Sequence, residues 1–200
     1  MQICKLEHIH KDYRMGEIVS PLKDITLTVN GGDFIAVEGP SGIGKSTLLY
    51  VMGTLLQSNA GSYYFAEQDV SRMSDNQRSE LRAKKIGFLF QDSTLIQALT
   101  LRENLIFSQG VGGKKDMKQI DGLLERFGLA ARALLHKPAL ILADEPTNDL
   151  DEHWSVEIIK ALQEEAARGA GVVMVTHNSQ WAKFATRRCR LEDGKLVDIE

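Results

Sequence analysis

The stretch Gly39-Pro40-Ser41-Gly42-Ile43-Gly44-Lys45-Ser46-Thr47 constrains this chain more than any other. An apolar segment precedes it (Asp33-Phe34-Ile35-Ala36-Val37-Glu38), and a helix-like run from Thr47 to Leu56 follows. G-x-x-x-x-G-K-S between a strand and a helix is a phosphate loop. Its glycines let the backbone wrap a polyphosphate, so that successive N–H groups and a helix N-terminus face the negative charge. All nine residues from Gly39 to Thr47 are therefore candidate nucleotide contacts. Lys45 is placed to reach the β- and γ-phosphates, and the Ser46 hydroxyl to ligate Mg²⁺.

Two hundred residues suit one domain, and 43 % apolar content is enough for a sizeable core. The 24 basic and 27 acidic residues leave a net charge of −3 with no basic block, which argues against a nucleic-acid partner. Cys4 and Cys189 lie far apart without metal-ligand spacing and read as free thiols of a reducing compartment. Met1 to Glu7 has no signal-peptide pattern, and no apolar run approaches the roughly 20 residues of a membrane span. The expectation is a soluble cytoplasmic domain without direct membrane insertion.

Residues 2–8 and 24–30 alternate apolar positions as half-buried strands do. Asn30-Gly31-Gly32 is a turn into the strand before the phosphate loop, and Gly61 to Phe65 is a short β segment. Ser74–Gln77 and Thr100–Glu103 both match capping boxes and predict helix starts, with the strand Ile86–Phe90 between them. Residues 108–115 read as a solvated loop, and Met117 to Phe127 as a helix. Ala139–Ala143 and Val172–Val175 are continuous apolar runs, as in parallel strands covered on both faces. Between them Glu152 to Ala167 predicts an amphipathic helix with Ile158, Ile159 and Leu162 inward, ended near Gly169. Strands alternating with helices imply an α/β fold with a mostly parallel sheet.

Five further positions carry chemistry. Asp144 ends an apolar strand, where a carboxylate can hold nucleotide-bound Mg²⁺, and Glu145 next to it can polarise an attacking water. His177 tips the Val172–Thr176 strand and can hydrogen-bond a γ-phosphate or that water. Gln91 ends another strand, and its amide can ligate Mg²⁺ or position water. Tyr13, flanked by Lys11 and Arg14, can stack on a base, although a partly buried loop tyrosine fits its sequence equally well. Trp154 and Trp181 read as packing residues. His8, His10, His136 and His153 show no metal-ligand pattern.

These residues in this order resemble the nucleotide-binding subunits of ABC transporters. Tyr13 matches the aromatic adenine loop, Gly39–Thr47 the Walker A motif and Gln91 the Q-loop. Leu140–Asp144 with Glu145 matches Walker B and its catalytic glutamate, Asn148–Asp151 the D-loop and His177 the switch histidine. Leu81 to Gln91 looks most like the lipoprotein-releasing and macrolide-exporter branch. The resemblance implies a P-loop NTPase fold across 1–200, with an N-terminal antiparallel β subdomain and a helical subdomain around 93–130. It implies ATP and Mg²⁺ as ligands, with Ser46, Gln91 and Asp144 serving the metal and Glu145 and His177 catalytic. It also implies a transmembrane permease subunit, received around Asp92 to Leu101, a second ATP-binding subunit, and a place at the inner face of the cell membrane.

One family element has no counterpart. The L-S-G-G-Q signature should open a helix leading into the Walker B strand, but Phe127-Gly128-Leu129 runs directly into Ala130-Ala131-Arg132. Judged against the family, roughly twenty residues are missing there, which shortens the helical subdomain. A genuine deletion, a truncated gene product and residues left out of the sequence all fit. In the family, each ATP lies between one subunit's Walker A and the other's signature. This chain is therefore expected to be an ATPase powering transport beside an intact partner, with activity doubtful by itself. The alternative is a degenerate regulatory subunit that binds ATP without turnover. A P-loop kinase is disfavoured because Asn148–Asp151 and His177 would have no role in it.

Overall fold

In the computed structural model, residues 1–90, 100, 103, 137–148 and 150–199 are described. The first strands, β1 (Gln2–Met15) and β2 (Glu17–Asn30), form a hairpin much longer than the alternation at 2–8 and 24–30 suggests. The reason is a bulge. His8 takes a left-handed φ of 52°, and the β1–β2 register shifts between Leu6 and Ile9, so these residues, three apart, both turn inward. His8 is held there by its backbone N–H donating to Thr26 Oγ1 and its ring bonding Asp24.

The turn at Gly31–Gly32 leads into β3 (Phe34–Glu38), buried along its whole length. Helix α1 (Lys45–Met52) starts within the glycine loop and stops at Gly53, earlier than Leu56, with Thr54 following at a φ of 58°. Next come β4 (Ala60–Phe65), the short β5 (Gln68–Asp69) and a single 3₁₀ turn at Val70–Arg72. The Ser74 hydroxyl accepts from the Gln77 N–H and Gln77 Oε1 accepts from the Ser74 N–H, closing the first capping box over α2 (Asp75–Lys85). The reciprocal bonds of the second, between Thr100 and Glu103, are also formed. The helix they would open, like the loop at 108–115 and the helix at 117–127, lies outside the described residues.

Strands β6 (Ile86–Leu89), β7 (Leu140–Asp144) and β8 (Gly171–Thr176) follow the apolar runs. Helix α3 (Glu152–Ala167) matches its expected span, is capped by Asp151 and buries Ile159 and Leu162, with Ile158 packed alongside. The four-residue α4 (Ser179–Ala182) then leads to β9 (Arg187–Glu192) and β10 (Lys195–Ile199).

The described strands form one sheet in the order β5-β4-β1-β2-β10-β9-β3-β8-β7-β6. Strands β6, β7, β8, β3 and β9 run parallel, whereas β1, β2, β4 and β5 form the antiparallel N-terminal unit. This is the α/β P-loop NTPase arrangement. Alternate residues of β3 serve opposite faces. Ile35 and Val37 pack with α1 and the antiparallel strands, and Phe34 and Ala36 pack with α3 and Trp181. The tips of β3, β7 and β8 consequently emerge side by side, each followed by a loop.

Candidate nucleotide and magnesium site

The phosphate loop spans the exit of β3 and the start of α1. Gly44, the N-cap of α1, has a φ of 115°, and a Cβ on it would lie 2.7 Å from Pro21 Cβ. Both the backbone angle and the close approach of β2 therefore require glycine. No side chain caps α1 and no acidic residue occupies its first turn. Its leading N–H groups are thus available to an anion, which the helix dipole favours.

Lys45 is only 6 % exposed. Its Nζ donates to Gly39 O (2.7 Å) and Pro40 O (3.1 Å) and lies 3.3 Å from Glu145 Oε1. The next side chain, Ser46, donates its hydroxyl to Asp144 Oδ1 at 3.1 Å. Burial raises the Asp144 carboxyl above the usual range, opposed by the Ser46 bond, reinforced by Glu145 and opposed again by Lys45. A buried carboxylate and a hydroxyl, both oxygen donors, fit magnesium.

Glu145 begins the loop after β7 with a left-handed φ of 46°, and its N–H donates to Val175 O of the neighbouring strand. That backbone turn aims its carboxylate across to β8. Its Oε2 lies 3.0 Å from His177 Nδ1 and accepts from the His177 N–H at 3.2 Å. Glu145 thus stands between the ammonium of Lys45 and the imidazole of His177. Such a carboxylate, fixed at both oxygens, can orient a water.

Tyr13 lies in β1, with its hydroxyl 3.4 Å from Thr47 Oγ1 and Lys11 Nζ 5.5 Å from the ring centroid. Its partner across the hairpin is Val19, itself half exposed. The structure therefore brings Tyr13, Gly39–Thr47, Asp144, Glu145 and His177 together. Gln91 and Asp149 lie outside the described residues, as do Asp92 to Leu101 apart from Thr100.

Trp181 is buried, but Trp154 is 50 % exposed and meets His153 edge-on rather than packing in the core. Position 154 falls in the first turn of α3, before that helix settles on the sheet. The contact between Tyr13 and Thr47 was not legible, because it depends on the reach of the hairpin. Nor was the pairing of Glu38 with Arg188 and Ser179, although a carboxylate ending an apolar strand is itself a signal. Both thiols are buried and free, and burial pushes each up to about 12. No group of His, Cys, Asp and Glu among the described residues could hold a metal by itself, and no described helix is long and apolar enough to cross a membrane.

A family model described as "ABC transporter" matches residues 22–131. The macrolide export ATP-binding/permease protein MacB of Syntrophobacter fumaroxidans is 36 % identical over 98 % of this chain and 31 % of its own length. MacB of Mannheimia succiniciproducens is 32 % identical over 99 % of this chain and 34 % of its own length. The chain thus spans about a third of the curated relatives it matches. The alignment with the first relative runs over 223 residues, 23 more than this chain possesses. Among solved structures, a dimeric post-hydrolysis state of the ATP-binding cassette MJ0796 with ADP and Pi superposes with a TM-score of 0.93 at 30 % identity. The alignment covers 99 % of this chain and 98 % of that one. A second dimeric structure of MJ0796, described as a bacterial ABC transporter cassette, gives 0.92 with the same coverage. The chain belongs to the ABC transporter family of ATP-binding cassettes.

Proposed function

We propose that residues 1–200 are one ATP-binding domain that hydrolyses ATP to drive transport through a separate membrane subunit, at the inner face of the cell membrane. The observation that carries this reading is the line of contacts Lys45–Glu145–His177 at the tips of adjacent strands, with Ser46 on Asp144 beside it. Magnesium, when bound with ATP, neutralises phosphate charge, and Ser46, Asp144 and Gln91 are its candidate ligands. Gly39–Thr47 cradle the phosphates and Tyr13 stacks on the adenine. Lys45 exchanges its carbonyl partners for phosphate oxygens. Glu145 accepts a hydrogen bond from the attacking water and orients it, and His177 contacts the γ-phosphate and holds Glu145 in place.

The signature has to come from a second ATP-binding subunit, so the chain forms one complete composite site beside a partner that carries it. Glu145→Gln tests the assignment. In the chain paired with a signature-bearing cassette, steady-state phosphate release should fall by about 10²- to 10⁴-fold while MgATP binding persists. Unchanged turnover would reject Glu145 as the water-orienting base. The lack of an L-S-G-G-Q signature in residues 1–200 motivates a second reading, a regulatory subunit that binds ATP without turnover. Tight ATP binding with no phosphate release by the unsubstituted pair would select it.

A further inference from the structure

Glu38, the last residue of β3, is buried yet carries a carboxylate fixed at both oxygens. Its Oε1 accepts from Arg188 Nε (2.9 Å) and Nη2 (2.6 Å), and its Oε2 accepts from the Ser179 hydroxyl (2.6 Å). Replacing a buried ion pair by apolar residues of similar volume is often neutral or stabilising. Stability is therefore a weak reason to put Glu38 and Arg188 in this place, and their position suggests another.

The backbone of Glu38 pairs with Thr176 in the β3–β8 ladder, immediately before His177. Its side chain holds Ser179, two residues after His177. Between these anchors the Asn178 N–H donates to Thr176 Oγ1, and Asn178 Oδ1 accepts from the Gln180 N–H. One residue thus grips the His177 segment from both sides. The residue following Glu38 is Gly39, whose carbonyl accepts from Lys45. The base of the phosphate loop and the histidine segment therefore share a single rigid post.

We propose that Glu38, oriented by Arg188, is a positioning residue that fixes the His177 segment through Ser179. Its consequence for turnover rests on the hydrolysis reading above; the fixation itself does not. Ser179→Ala removes the tie and leaves the ion pair intact. Hydrogen exchange on the full chain should then rise on the order of tenfold in residues 177–182, the factor expected for losing one hydrogen bond to a charged acceptor. Exchange in 39–47 should stay unchanged, the melting temperature should fall by only about 3–6 °C, and Ser179→Thr should restore protection. The paired replacement E38L/R188L should give the same local rise, and adding S179A to it should change nothing more.

With MgATP and a signature-bearing cassette, kcat of S179A should fall on the order of tenfold with KM unchanged. Wild-type exchange in S179A would overturn the proposal, as would an equal rise spread over 39–47 and the rest of the chain. A wild-type pair that releases no phosphate would reject the hydrolysis reading alone, and the exchange pattern would still decide the role of Glu38.

Discussion

The antiparallel hairpin and the parallel strands place functional side chains by opposite rules. In β3, β7 and β8 every residue is buried, so nothing along the strands can meet a solute, and chemistry is confined to the tips. Lys45, Asp144, Glu145 and His177 all sit at or just beyond those ends. The hairpin has one face against the core and one toward solvent, so Tyr13 can work from within a strand. The difference teaches why phosphate chemistry belongs to strand ends in such sheets, whereas a base can be met by a half-solvated ribbon.

Three measurements bear on that contrast. The largest effect should come from Leu142→Ala in the fully buried β7, which should cost about 3 kcal/mol in denaturant unfolding. Ile18→Ser at the exposed turn of the hairpin should stay within about 0.5 kcal/mol. Equal losses at both sites would erase the distinction between a covered sheet and a half-solvated ribbon. A smaller effect is expected for Tyr13→Ala. Nucleotide affinity should weaken by about 1 kcal/mol, the worth of an aromatic contact, with kcat retained. A fall in kcat instead would show that the ribbon reaches the phosphate chemistry.

The smallest expected difference is none. Cys4 lies in the hairpin and Cys189 in the parallel region, yet both belong to one apolar cluster. A thiol reagent should label them at one common rate, set by opening of the whole cluster. Much faster labelling at Cys4 would mean that the ribbon opens independently.

Legibility followed the same division. The parallel strands were readable because full burial writes an unbroken apolar run, as in Leu140–Ala143 and Val172–Val175, and because the phosphate loop demands a strand before it. Helix α3 and the Ser74 capping box were readable from local signals alone. The hairpin's length was not, because the bulge at His8 breaks the alternation and the outer residues, Lys11 to Glu17, are held by cross-strand partners rather than by their own pattern. Strand β9 has no legible pattern because Arg187, Arg188 and Arg190 mask the buried Cys189 and Leu191. The exposure of Trp154 depends on where α3 meets the sheet, which no local pattern encodes.

The placement of β9 and β10 has a consequence for how the molecule is made. These strands, the last two in the sequence, lie between β2 and β3, which are neighbours in the chain. Until residues 187–199 leave the ribosome, the ribbon and the parallel strands have no backbone ladder joining them. Synthesis must therefore carry two unjoined sheet edges, and an unpaired edge invites wrong pairing. A nascent chain arrested after Thr186 should be cut readily by protease between β2 and β3, and one extended past Ile199 should resist; equal resistance would show that the two parts dock without their bridge.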